Sequence, residues 1–420
     1  MKRIFILSML LLLTDYNYSQ NNLTIEECFE KARVNYPLTK QKELIERTKE
    51  LTVSNVWKSY FPQINITAQA TYQSDVTSLP VTFPGLTIDK LSRDQYKIFA
   101  DVTQTIFDGS TISSQAGLQE ALLEVDQQKV EVELVKLKER VNNIYFSILL
   151  VDEQITQNDL IKSDLNSSIK KLEAAYLNGV VAKSEVDLIK AEYLKVEQRE
   201  LELTSTRSFL LNNLGLLINE KLDETTKLLI PAEVSFSSQT EIQRPELDLL
   251  SAQKSLIENQ NWLSNSKIVP KASLFFQGGY GKPTLNMLKN NFDWFYIAGI
   301  RFSWSLSNLY SYSNDSEIND LAKLTVDAQK DAFLLNTNIN LNQQKAELIK
   351  LKEMIKVDEE IIELRKSILN AAQAKLDNGT ITSNDYLREL NAKDSAQQSK
   401  ILHKIQLLQT QYNYKITSGN

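Results

Sequence analysis

The chain repeats itself, and this constrains its fold more than any other feature. YFPQINITAQATY (Tyr60–Tyr72) resembles IVPKASLFFQGGY (Ile268–Tyr280): each has a proline near its start, an alternating stretch and a closing tyrosine. FADVTQTIFDG (Phe99–Gly109) resembles GIRFSWSLSNL (Gly299–Leu309), and Asn178-Gly179 recurs as Asn378-Gly379. The three matches fall in the same order, about 200 to 208 positions apart. The sequence is therefore two copies of one unit of about 200 residues.

Within each unit the hydrophobic period switches. Ile64, Ile66, Ala68, Ala70 and Tyr72 alternate with Asn65, Thr67, Gln69 and Thr71. Ala100, Val102, Gln104 and Ile106 alternate with Asp101, Thr103 and Thr105. The second copy does the same with Ala272, Leu274, Phe276 and Tyr280, and with Ile300, Phe302, Trp304 and Leu306 against Arg301, Ser303 and Ser305. A two-residue period places alternate side chains on opposite faces of a strand. The spacing predicts four strands in two pairs: 61–72 with 98–108, and 270–280 with 296–307.

Between the strand pairs the period is that of packed helices. Val130, Leu134, Leu137, Val141, Ile144, Ile148, Val151 and Ile155 are spaced alternately by four and three. Leu348, Leu351, Ile355, Asp358, Ile362, Arg365, Leu369, Ala372 and Leu376 keep a similar seam with two polar breaks. Such a seam joins helices side by side with coiled-coil geometry. The helical stretch before each Asn-Gly is long enough for roughly 100 Å of helix, too long for a globular domain. Proline (8) and glycine (11) are scarce, as long helices require. The Asn-Gly pairs then mark hairpin turns near 178–184 and 378–384, where a residue without a β-carbon eases the reversal. The expected domains are a first repeat over 20–215, a side structure and linker over 216–244, and a second repeat over 245–420.

Composition excludes several classes of function. The net charge of −6, with no basic run interleaved with aromatics, disfavours a nucleic-acid binder. One histidine, His403, and one cysteine, Cys28, leave no metal site built on such residues and no internal disulfide. No phosphate loop, nucleophile elbow or catalytic cluster stands out, so no catalytic residue, metal or cofactor is expected. Lys2 and Arg3 precede the apolar run Ile4–Leu13 and a polar segment, the layout of a secretory signal peptide over 1–19. An exported chain without an apolar helix enters a membrane only through strands. Strands of nine to eleven residues suit an outer membrane, with aromatics near their ends: Tyr60, Phe61 and Phe107 at one, Tyr72, Tyr96, Tyr280, Trp294, Phe295 and Tyr296 at the other. Four strands close no barrel, so this reading requires several copies. The alternative is an exported periplasmic coiled-coil structural or interaction protein.

Several segments together resemble the TolC-type outer-membrane efflux channels: LTIEECFEKARVNYP (Leu23–Pro37), YFPQINI, TIFDG, YLNGVVAKSEVDL with its copy LDNGTITSNDYL, and FLLNNLGLLIN (Phe209–Asn219). The resemblance covers the mature chain. It implies a mostly α chain with a small β part, two repeats per protomer, and a homotrimeric tube in which an α-barrel in the periplasm continues a twelve-stranded β-barrel in outer-membrane lipid, four strands per chain. It implies a passive export duct for drugs, metals, small molecules or proteins, working with a periplasmic adaptor and an inner-membrane pump. It implies that the two turns form the gated periplasmic end, with Asn178, Gly179, Asn378 and Gly379 at the adaptor contact. Asp385 matches an acidic constriction residue, with Glu185 and Asp187 as secondary candidates in the first copy. Arg388 departs from the family pattern, which often has a second acid there. It leaves open a ring of three Asp385 carboxylates, an Asp385–Arg388 pair, or a plain helix cap made by Asp385 with Ser383 or Asn384.

Overall fold

The computed structural model describes residues 22–77, 90–233 and 241–419. The expected signal peptide, Pro80, Pro84 and Gly85 of the first inter-strand segment, and residues 234–240 of the side structure lie outside them. The elements in chain order are β1 (Asn22–Leu23), α1 (Ile25–Asn35), α2 (Pro37–Trp57), β2 (Gln63–Tyr72), β3 (Asp94–Phe107), α3 (Thr111–Leu177), α4 (Lys183–Ile218), β4 (Lys227–Leu228), α5 (Pro245–Ser266), β5 (Lys271–Lys282), β6 (Asp293–Ser303), α6 (Leu309–Asp377) and α7 (Ser383–Ser418). The chain is mostly helical, with α3 and α6 of 67 and 69 residues.

It divides into two compact units. One comprises residues 40–132 and 245–335, and holds an antiparallel sheet in the order β2-β3-β5-β6. The register makes one face continuous: Ile66 lies opposite Ala100, Ala100 opposite Gly278, and Gly278 opposite Tyr296. One row further, Ile64, Val102, Phe276 and Ala298 align. A one-residue slip would send every one of these to the other face. Tyr280 packs on Trp294, with ring centroids 5.2 Å apart, and on Phe292 at 5.6 Å. A bulge between Thr105 and Phe107 puts Phe107 opposite Ala272, on the apolar face. β6 ends at Ser303, short of Trp304, Ser305 and Leu306. The Trp304 indole donates to the Ile268 carbonyl at 2.9 Å, and a short 3₁₀ turn over Leu306–Asn308 leads into α6.

The other face is mixed, not uniformly polar. Thr67, Thr103 and Thr105 are there, and so are Phe99, Phe275 and Phe295. Phe295, expected among the terminal aromatics, is 8% exposed, whereas its neighbours Trp294 and Tyr296 are open. The strand period explains this, because adjacent residues cannot share a face.

The second unit comprises residues 22–39, 133–244 and 336–419. Leu137, Val141 and Ile148 of the α3 seam are buried in a cluster with Ile25, Leu211, Leu214, Ile218, Ile405 and Tyr412. β1 pairs in parallel with β4, and the Tyr145 hydroxyl reaches the carbonyls of Leu23 and Leu229 at 2.9 and 2.7 Å. Both polar breaks in the α6 seam meet partners on α7. Asp358 takes a 2.6 Å bond with His403 Nδ1, and Arg365 lies 3.4 Å from Glu389.

Candidate functional site

The two hairpin turns are built alike. In the first, Gly179 N–H donates to Tyr176 O and Val180 N–H to Ala175 O, both at 2.9 Å; in the second, Gly379 donates to Leu376 and Thr380 to Lys375, again at 2.9 Å. This double closure at a helix C-terminus needs a left-handed residue. Gly179 and Gly379 supply it with φ of 73° and 69°. Nothing lies within 4 Å of where either β-carbon would be, so backbone conformation alone calls for glycine. Asn178 and Asn378 each cap a further carbonyl, Ala174 and Ala374, at 2.8 Å.

The returning helices start differently. α7 opens with a capping box: Thr382 Oγ1 accepts from Asp385 N at 3.2 Å, and Asp385 Oδ2 takes Thr382 Oγ1–H at 2.9 Å and Thr382 N–H at 3.3 Å. The Thr382 hydroxyl, then its amide, and last the charge of Arg388 hold the Asp385 carboxyl below the usual range. α4 has Ala182 at the same place, with no side chain to cap it. Its acid, Glu185, is thereby released from the local role that Asp385 plays. Glu185 Oε2 instead accepts from Ser383 N at 2.7 Å, at the start of α7.

The side chains expected at the site are only partly brought together. Glu185 joins the two hairpins. Asp385 serves its own helix, with Thr382 as partner rather than Ser383 or Asn384. Arg388 turns to Glu389, 3.2 Å away, and Glu389 also meets Arg365. Asp187 is exposed, and its charge adds a minor part to the raised pKa of Lys190, whose main cause is the bond to Glu173. Residues not anticipated from the sequence complete the tip. Lys171 of α3 meets Asp377 of α6 at 2.9 Å, and this bond is the first cause of the lowered Asp377 pKa. Farther from the turns, Arg199 of α4 meets Asp394 of α7 at 3.2 Å. Below the turns, Leu165, Leu172, Val186, Ile189, Leu376, Tyr386 and Leu390 form one apolar core drawn from all four helices. A groove of about 600 Å³ opens beside it, lined by Ala175, Val180, Val181, Leu376, Asn378 and Gly379 among others. Of this, the Thr-x-x-Asp box was legible in TSND; the long-range pairs carried no sequence signal.

Chemically, the site offers hydrogen bonds and ion pairs between two helical hairpins. Among the described residues no group of three or more histidine, cysteine or acidic side chains is placed to hold a metal.

Comparison with known proteins bears on this arrangement. Residues 38–220 match the model of the family described as outer membrane efflux protein. No curated protein matches the chain in sequence. Among solved structures, the outer membrane protein VceC of Vibrio cholerae is similar over 94% of this chain and 96% of its own, with TM-score 0.69 and 13% identity. The CmeC outer membrane channel of Campylobacter jejuni gives 0.69 and 13%, over 94% and 85%. The open state of the MtrE outer membrane channel of Neisseria gonorrhoeae gives 0.66 and 12%, over 94% and 88%. Residues 38–220, under half of the chain, are thus similar to the outer membrane efflux protein family, and the chain as a whole has the fold of these outer-membrane channels.

Proposed function

We propose that the chain forms a trimeric, passive export duct of the outer membrane, closed at its hairpin tips and serving an inner-membrane pump through a periplasmic adaptor. The observation that carries this reading is the sheet. Its continuous apolar face suits lipid, and both outer strands, β2 and β6, have a free edge among the described residues. Unpaired backbone in lipid is costly, so the edges need partners, and three copies close twelve strands. α6 supports the same closure: Leu335, Ile339, Val357, Ile361, Leu364 and Ile368 remain exposed along it, an apolar stripe suited to a second copy. The outer-membrane location goes with the family.

At the tip, Glu185–Ser383 and Lys171–Asp377 tie one hairpin to the other, and opening the duct requires the hairpins to part. Asp385 and Arg388 set the charge around the start of α7. The groove beside Asn378 and Gly379 suits the end of an adaptor hairpin, because its lining combines apolar Leu172, Val180 and Leu376 with polar Lys171, Asp377 and Asn378.

Planar-bilayer recording tests the proposal. Purified protein should need detergent, run as a trimer and conduct weakly. Glu185→Ala with Lys171→Ala should raise conductance several-fold. A folded protein that stays soluble without detergent and conducts in neither form would overturn it in favour of a periplasmic coiled coil.

A further inference from the structure

The sheet face opposite the apolar one carries two aromatic–cation clusters. Lys97 Nζ lies 4.7 Å from the ring centroid of Phe99 and 4.7 Å from that of Phe295. Phe99 stands opposite Gly279, where a β-carbon would collide with Phe99 itself. The second cluster repeats the design. The Arg301 guanidinium lies 4.8 Å from the Phe275 ring, and that ring covers Gly299, 3.0 Å from where its β-carbon would be. In the first cluster the Phe99 β-carbon faces the cross-strand glycine, in the second the Phe275 ring covers it, and in both a cation sits on the ring. Phe275 is four residues along β5 from Gly279, so the clusters are about 13 Å apart along the strands. Asp101 lies between them, opposite Gln277, with Oδ1 buried and without a partner.

We infer that these clusters are two successive binding stations for aromatic carboxylates on the wall of the duct. The inference rests on the proposed orientation of the sheet, with its apolar face toward lipid. A solute carboxylate pairs with Lys97 or Arg301, whose charge the phenylalanines leave unneutralised. Its ring meets the edges of Phe99 and Phe295, or of Phe275. Asp101 repels an anion between the stations. Binding is therefore split into two weak sites, which lets a solute enter and still leave. Three copies place three stations around the lumen at each level.

The test uses the detergent-solubilised full-length protein and 1-naphthoate, whose own fluorescence reports binding. Naphthoate should bind at least about fivefold more tightly than cyclohexanecarboxylate, measured by competition. Lys97→Gln should weaken it about fivefold and Lys97→Arg restore it. Phe99→Leu should remove the preference for the aromatic acid. In bilayers naphthoate should reduce conductance, and less so in Lys97→Gln. Arg301→Gln and Phe275→Leu give the same comparison at the second station if a Lys97 variant fails to assemble. Conductance with no naphthoate binding, or with binding that none of these substitutions alters, overturns the stations and leaves the duct standing. Lysine-dependent binding in a protein that never conducts overturns the duct, and with it the place of these binding clusters on its wall.

Discussion

The carboxylate of Glu185 accepts the backbone N–H of Ser383, 198 positions later, at 2.7 Å. One repeat thus caps the first turn of the other repeat's returning helix. Asp385, the counterpart of Glu185, caps its own helix through Thr382. The difference traces to one position, Ala182 against Thr382. With a hydroxyl at the N-cap the N3 acid folds back; without one it is free to reach across.

Ala182→Thr should therefore act at a distance. It offers Glu185 a local box and competes for the carboxylate that holds Ser383. The start of α4 should gain about 1 kcal/mol, while amide exchange at Ser383 should quicken and conductance rise although Glu185 is intact. Glu185→Ala should quicken the same amide and lose the bond outright, about 1.5–3 kcal/mol for a charge-assisted bond. Unchanged exchange at Ser383 in both variants would refute the competition.

The turn glycines should tolerate asparagine far better than valine. Both positions have open space around the missing β-carbon, so the cost is backbone strain alone. Gly379→Ala should cost about 1 kcal/mol and Gly379→Val more, with Gly379→Asn least. Local amide exchange over 375–385 reads the order directly. Equal costs for valine and asparagine would contradict it.

Acid should loosen the tip, and only strong acid. The pKa values of Asp385 and Asp377 are depressed by hydrogen bonds from Thr382 and Lys171, below the ordinary aspartate value of 3.8. A depressed pKa means that the charged form favours the folded state. The contribution is full above the unfolded pKa and is lost as pH falls through the folded one. Exchange at the start of α7 should therefore stay flat from pH 7 to about 5, corrected for intrinsic rates, and quicken below pH 4. Asp385→Asn should flatten part of that acid limb.

The Asp358–His403 pair should be harder to break than to replace. Their side chains are 11% and 15% exposed, in a seam whose only other polar position among those named is Arg365. His403→Ala leaves a buried carboxylate without its partner and should cost about 3 kcal/mol or more. The double substitution Asp358→Leu with His403→Leu extends the seam and should cost much less. Thermal melts of the wild type and the two variants in one detergent decide it; a double substitution that costs as much as His403→Ala would count against this account.

Much of this molecule is written locally. The four-three spacing from Val130 to Ile155 makes a seam because a helix turns through a fixed angle per residue, whatever surrounds it. The alternation from Ile64 to Tyr72 makes a two-faced strand for the same reason. Gly179 and Gly379 close their turns with bonds that reach back only five residues. Interactions this short depend on neighbours in the chain, so duplicated segments give duplicated turns. Other features needed distant parts of the chain brought together. No spacing ties Glu185 to Ser383, or Lys171 to Asp377, because both depend on how two hairpins pack. Phe99, Phe275 and Phe295 look like ordinary strand aromatics in the sequence. Phe99 shares a face with Lys97 by the period of β3 itself, but only the register of β3, β5 and β6 sets Phe295 beside Lys97 and Phe275 beside Arg301, since register fixes which residues meet across a sheet and one strand's own pattern cannot.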